Sequence, residues 1–355
     1  MRTDIEFDSK KTSFVQGIAL IMMLSLHLFH YPQWIDSSQV WYGLLINKEV
    51  EHITGEFGVL CINIFCFLSG YGWSIKYNEK NFVSKHIIKI YVGYWLCLIS
   101  TIIIKGLFKA QPILSVNDNV NYLFEFLGFT QNISFFSWYI IFYLVVVILF
   151  CLINKYINSI KILLVDIVLS FMIHIVVWNI SNKVYINPTI YLILNKTTLY
   201  FPTILVGAFF KKNNYMNKML KSNVKWLSTK VAAIFILATY VIYVSCNYFI
   251  HQQKLALFLF TIITPFFIVS LIKIERLINI EFIRNIVMWI GKNSLFFWLL
   301  QAIIFYTNIQ KIFYLPRYSI LILIWTIIIL SPLVILLNYI HKYINKNIMN
   351  IFKLL

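Results

Sequence analysis

The sequence predicts an all-α, polytopic helical membrane protein of about ten transmembrane helices with both termini cytoplasmic. Three observations predict it. Of 355 residues, 60% are hydrophobic and only 12% charged, with a mean hydropathy of +0.79, so there is too little polar surface to cover the apolar bulk in water. The apolar residues fall in runs of roughly the 20 residues that cross a bilayer as a helix. Lys and Arg gather in alternate segments between those runs.

The first run, 13–31, reads SFVQGIALIMMLSLHLFHY and carries Gln16, His27 and His30, which a lipid-facing helix would not choose. Eleven residues at 100° bring His27 to within about 20° of Gln16, and His30 lies three further on, so one polar stripe is expected, with Leu20 and Met23 between. At about 1.5 Å per residue His27 stands roughly 20 Å from the start of the helix, past the bilayer midplane. An imidazole gives and takes protons near neutral pH, and an ionisable group held inside a span at a cost in free energy points to function. The alternative is a hydrogen bond to a neighbouring helix or a place at the headgroup level.

The other runs are 57–75, 90–107, 137–153, 162–178, 199–210, 231–249, 255–272, 286–306 and 320–340. The sixth is short and carries Pro202 and Gly207, so residues 191–194 are candidates to join it in a broken or tilted element. No inverted repeat, linker or appended soluble domain is visible, and a single membrane domain over 1–355 is expected. The segments assigned inside hold most of the 30 Lys and Arg, Lys76, Lys80, Lys85 and Lys89 among them. The net charge of +17 is therefore read as a topology signal on a lysine-rich chain, not as a nucleic-acid site. The five cysteines lack metal-ligand spacing and read as core residues; no metal is expected. Asp4, Glu6 and Asp8 occupy the region that a cleavable signal would make basic, so the first span is expected to be retained.

Two outer segments carry mixed aromatic and acidic side chains. Residues 32–56 hold Trp34, Trp41 and Tyr42 with Asp36, Glu49, Glu51, His52 and Glu56, groups that can stack on sugar rings and accept hydrogen bonds from hydroxyls. The second brings Asp118, Glu125, Trp138 and Tyr139 near a membrane entry. Trp34, Glu56 and Trp138 are taken as candidates for acceptor binding; an interfacial aromatic belt with solvated acids is the other reading.

Three stretches together carry a resemblance: QGIALIMMLSLHLF with Gly17, Ala19 and His27; GEFGVLCINIFCFLSGYGWS followed by KHIIKIYVGYW; and IGKNSLFFWLL before the last span. Their order and spacing resemble the acyltransferase-3 family of integral membrane acyltransferases, in the branch that O-acetylates bacterial surface polysaccharides. The resemblance implies transfer of an acetyl group from cytoplasmic acetyl-CoA to a hydroxyl of an extracytoplasmic or lipid-linked glycan, at a bacterial plasma membrane, with no bound cofactor and polysaccharide-assembly machinery as possible company. It implies an essential histidine at His27. The family's basic residue ten positions earlier is Gln16 here, its arginine pair after the second span matches His86 and Lys89 beside Lys85, and its histidine ending the third stretch is Gln301. Gln16, Lys85, His86 and Lys89 are accordingly the candidates for donor binding.

The residues read by themselves agree with that chemistry. Acyl transfer from a thioester to an alcohol needs a base for the hydroxyl proton and donors for the developing oxyanion. His27 suits the base, and His30, Ser69 and Tyr71 are candidate orienters or donors; a histidine-acyl intermediate is equally allowed. Gly58, Gly70 and Gly72 read as surfaces for close helix packing. The competing readings are a glycan transporter or flippase, which should show matched broken helices in two halves whereas Pro202, Pro265 and Pro332 all fall late, and an inactive homologue in which Gln16 and Gln301 have removed function.

Overall fold

The computed structural model describes residues 6–43, 48–113, 121–181, 187–221, 228–248, 253–275, 278 and 280–354; Asp4 and Asp118 lie outside these. Among them the secondary structure is helical, with no strand beyond isolated bridges of Tyr42 to Tyr318 and Pro112 to Tyr306. In order the helices are α1 (Ser9–Ser25), α2 (Glu49–Phe57), α3 (Cys61–Lys76), α4 (Phe82–Leu107), α5 (Tyr122–Leu127), α6 (Trp138–Ile153), α7 (Ile160–Ser181), α8 (Pro188–Lys212), α9 (Tyr215–Lys221), α10 (Thr229–Tyr248), α11 (Gln253–Glu275), α12 (Glu281–Lys292), α13 (Ser294–Leu300), α14 (Thr307–Phe313) and α15 (Ser319–Leu354).

Nine helices among the described residues are long and apolar enough to span a membrane, ten if the bent pair Glu281–Lys292 and Ser294–Phe305 is counted as one span. The chain is a polytopic helical membrane protein. Three spans depart from the hydropathy reading. The ninth breaks at Asn293, whose side-chain oxygen is engaged by Asn338 Nδ2 at 2.6 Å; a polar side chain anchored outside the helix replaces helical continuity there. The sixth is not broken: α8 runs 25 residues through Pro202. It starts at Pro188 behind an Asn187 cap, whose side chain accepts from the Thr189 N–H at 3.0 Å. Asn195, Lys196 and Thr198 depress its hydropathy, but Thr198 returns its hydroxyl to the Leu194 carbonyl (2.9 Å), so the helix carries it. The first span ends in a π-helical turn, Leu26–His30, directly after α1.

The chain divides into two compact units. The first comprises Met1–Ala19, Leu60–Phe82 and Val145–Lys292. Its core is α3 against α8, with α7 and α11 also on α8 and α10 on α11. A Cβ at Gly70 would run into the Ile204 carbonyl and one at Gly207 into the Phe67 carbonyl, so α3 and α8 meet backbone to backbone through a glycine from each. Beside this crossing Asn63 donates to Thr203 Oγ1 (3.2 Å), which is 3.0 Å from Thr261 Oγ1. Of the other glycines read as packing surfaces, Gly72 faces open space.

The second unit comprises Leu20–Val59, Val83–Leu144 and Asn293–Leu355. Here α2 lies on the π-helical turn, and α13 and α14 pack on α15. A Cβ at Gly58 would strike the Met22 carbonyl, which is what lets the chain entering α3 lie against α1.

Candidate functional site

The second unit brings His27 into an aromatic enclosure. Only 9% of the residue is exposed. Its ring centre lies 4.6 Å from that of Phe136, 5.9 Å from Trp34 and 6.2 Å from Phe305. The Nδ1 atom is 2.5 Å from Oε1 of Gln301, which is itself fully buried. Among the described residues the other ring nitrogen, Nε2, has no protein partner. One side of the imidazole is thus held and the other is open to chemistry.

Each wall of the enclosure has its own support. Trp34 sits on a short 3-10 turn, Pro32–Trp34, that the Gln310 side chain clamps: its Oε1 accepts from the Asp36 N–H (2.7 Å) and its Nε2 donates to the Trp34 carbonyl (2.8 Å). The Tyr314 hydroxyl donates to the Leu28 carbonyl of the π-helical turn (2.5 Å). Burial of that hydroxyl pushes its pKa up, so it remains a donor.

Phe136 is delivered by the loop after α5, and Glu125 organises that loop. The carboxylate, 0% exposed, accepts from the Ile133 (2.8 Å) and Ser134 (2.9 Å) N–H groups on one oxygen. Its other oxygen takes the Thr130 hydroxyl (2.6 Å) and the Asn132 N–H (3.0 Å). Helix α5 is itself capped by the Asn121 side chain and ends at Gly128, with φ of 84°. Its last carbonyls are taken by three side chains of α4: Tyr94 on Glu125 (2.5 Å), Trp95 on Phe126 (2.9 Å) and Tyr91 on Leu127 (3.0 Å). The Tyr306 hydroxyl donates to the Ile133 carbonyl at 3.0 Å. Glu125 is therefore not a solvated acid facing sugar, as its place in an outer segment suggests; its own loop uses all four acceptor positions.

A family model described as an acyltransferase domain matches residues 13–342. The chain belongs to the acyltransferase-3 family. It is a multi-pass membrane acyltransferase. No match is found among curated proteins or among solved structures.

The other residues picked out for this acyltransferase-3 chain fall in several places. His30 does not share the environment of His27: its Nδ1 donates to the His52 carbonyl (3.1 Å) and its ring stacks on that of His52 at 4.6 Å and 19°. The expected stripe is broken because the π-helical turn is wider than an α turn and advances each side chain by a smaller angle. Trp34 is beside His27, whereas Glu56 is buried within α2 and Trp138 lies at the start of α6 against Tyr139 and Phe142. Lys85, His86 and Lys89 occupy the first two turns of α4, with Lys89 exposed and its carbonyl 2.9 Å from His341 Nε2. Gln16, Ser69 and Tyr71 belong to the first unit. There the Tyr71 ring meets Phe7 edge-on at 4.9 Å, and the Lys211 ammonium lies 5.3 Å from its centre.

Next to the π-helical turn is an open cleft of about 400 Å³ lined by Phe29, Pro32, Asp36, Gln39, Trp41, Lys48 and His52 among others. Hydrogen bonds from the Ser38 side chain and backbone hold the Asp36 carboxyl below the usual range. The Lys48 ammonium rests 4.9 Å from the Trp41 ring centre. Sequence reasoning singled out Asp36, Trp41, Glu49 and His52 of this lining but not their convergence. It also missed Gln301, Gln310 and Tyr314 as supports. Gln301 was visible by the argument that singled out His27, since it is a lone polar side chain in the apolar run LFFWLLQAIIF.

Proposed function

We propose that this membrane acyltransferase moves an acetyl group from cytoplasmic acetyl-CoA to a hydroxyl of an extracytoplasmic or lipid-linked glycan, in a bacterial plasma membrane, with His27 as the group that handles the proton. The observation that carries the reading is His27 itself: an imidazole within a span, gripped on one nitrogen, open on the other and walled by aromatic rings. In the reaction the acceptor hydroxyl oxygen attacks the thioester carbonyl while its proton passes to His27. The C–O bond forms, the C–S bond breaks, and the imidazolium returns the proton to the departing thiolate. The aromatic walls exclude water that would hydrolyse the thioester.

Lys85, His86 and Lys89 form a basic turn suited to the donor's phosphates, and the mixed lining of the cleft beside Trp41 suits a sugar with apolar faces and hydroxyl edges. The test is His27→Gln, which keeps hydrogen bonding and much of the volume but cannot accept a proton. Glycan acetylation should be abolished at normal protein level in the membrane, and His30→Ala should do less harm. Acetylation by His27→Gln at near wild-type rate would make His27 a packing residue.

A further inference from the structure

We propose that Gln301 sets the tautomer of His27, holding the ring proton on Nδ1 so that Nε2 presents its lone pair to the acceptor hydroxyl; this rests on the reading of His27 given above. Oε1 of Gln301 lies 2.5 Å from His27 Nδ1. A carbonyl oxygen can only accept, so Nδ1 must carry the hydrogen, and a neutral ring then has its lone pair on Nε2. An amide turned the other way would donate to Nδ1, put the ring proton on Nε2 and leave His27 unable to take a second proton without first losing its partner.

The contrast with Gln310 separates this role from a structural one. Both glutamines are buried, 0% exposed for Gln301 and 1% for Gln310. Gln310 uses both ends of its amide to tie two backbone groups of one turn. Gln301 uses one: its Nε2 is buried and has no partner among the described residues. A glutamine kept for packing or cross-linking would be expected to satisfy both ends, because leaving a buried N–H unpaired is costly. The engaged end faces the imidazole, and Gln301 opens the 3-10 turn that also carries Phe305 to the same ring. Tautomer and ring position are set together, as a carboxylate does for the base in serine hydrolases. Gln301 is a positioning residue.

The experiment uses full-length protein in lipid, labelled with ¹⁵N-histidine. Of the 7 histidines, the His27 signals are those lost in His27→Gln. Wild type should show His27 with Nδ1 protonated and Nε2 unprotonated at neutral pH. Gln301→Leu, similar in bulk but without an acceptor, should shift His27 toward the other tautomer and lower kcat by about 100-fold with little change in donor KM. Gln301→Glu, which restores an acceptor, should recover the Nδ1-protonated form. A wild-type His27 protonated on Nε2 would overturn the proposal without any Gln301 variant having to fold. So would an unchanged tautomer and kcat in Gln301→Leu. A tautomer that follows Gln301 in a protein that acylates no glycan would sustain this inference while defeating the proposed function.

Discussion

Replacing Glu125 by Gln removes one acceptor oxygen and puts an N–H₂ in its place. Whichever way the amide turns, two of the four donors now on the carboxylate face another donor: either Ile133 and Ser134, or Thr130 and Asn132. Each buried donor left unsatisfied costs about 1–3 kcal/mol, so the loop loses roughly 2–6 kcal/mol. Helix α5 keeps its Asn121 cap and the three α4 side chains on its last carbonyls, so the loss should be local to the loop. Hydrogen exchange followed by mass spectrometry should show the segment 130–137 losing about 100-fold in protection, the equivalent of about 3 kcal/mol, with α4 unchanged. Because that segment carries Phe136 onto His27, acyl transfer should fall while donor binding persists. If exchange in 130–137 stays within a factor of two of wild type, the four hydrogen bonds do not hold the loop and the argument is wrong.

Two further outcomes follow from packing and charge. Gly207→Val should force α3 from α8 against the Phe67 carbonyl and destabilise the protein by at least 1–3 kcal/mol, roughly the usual cost of overpacking, read as a lower unfolding midpoint in detergent; Gly72→Ala, facing open space, should leave it unchanged. Lys89→Ala should raise the donor KM about tenfold, roughly 1.4 kcal/mol, with kcat and membrane insertion intact, and an unchanged KM would return the basic turn to a topological role.

What the sequence conveyed and what it withheld divide along physical lines. Burial in a bilayer demands long apolar runs, so the spans, ten of them counting the bent pair, could be read directly. Hydropathy averages over a window and cannot see a single anchored side chain, so the break at Asn293 and the continuity of α8 through Asn195 and Pro202 were both misjudged. For the site, His27 stood out as an ionisable side chain inside a span, and the family resemblance chose it over His30. Its partners did not, because Gln301 is 274 positions away and nothing local in either segment encodes the pairing. The outer acids failed differently. Asp36, Glu51 and Glu125 look alike as residues, yet one lines an open cleft, one accepts from Ser319 Oγ at 2.7 Å inside the fold, and one closes its own loop.

The π-helical turn accounts for why this histidine, and not its neighbour, faces the enclosure. It ends the helix, so its last carbonyls have no partner inside it, and four positions beyond Leu28 stands Pro32, which has no N–H to offer. One of these, at Leu28, is taken by the Tyr314 hydroxyl from the end of α14, the helix that also supplies Gln310 to the Trp34 turn. The chain from Gln301 to Tyr314 thus fixes the imidazole, the backbone beneath it and the tryptophan beside it. A departure from α geometry is tolerated only where such partners over-determine it. Here they come from the segment that follows α13 in the third motif, which ties two stretches far apart in sequence to one nitrogen atom.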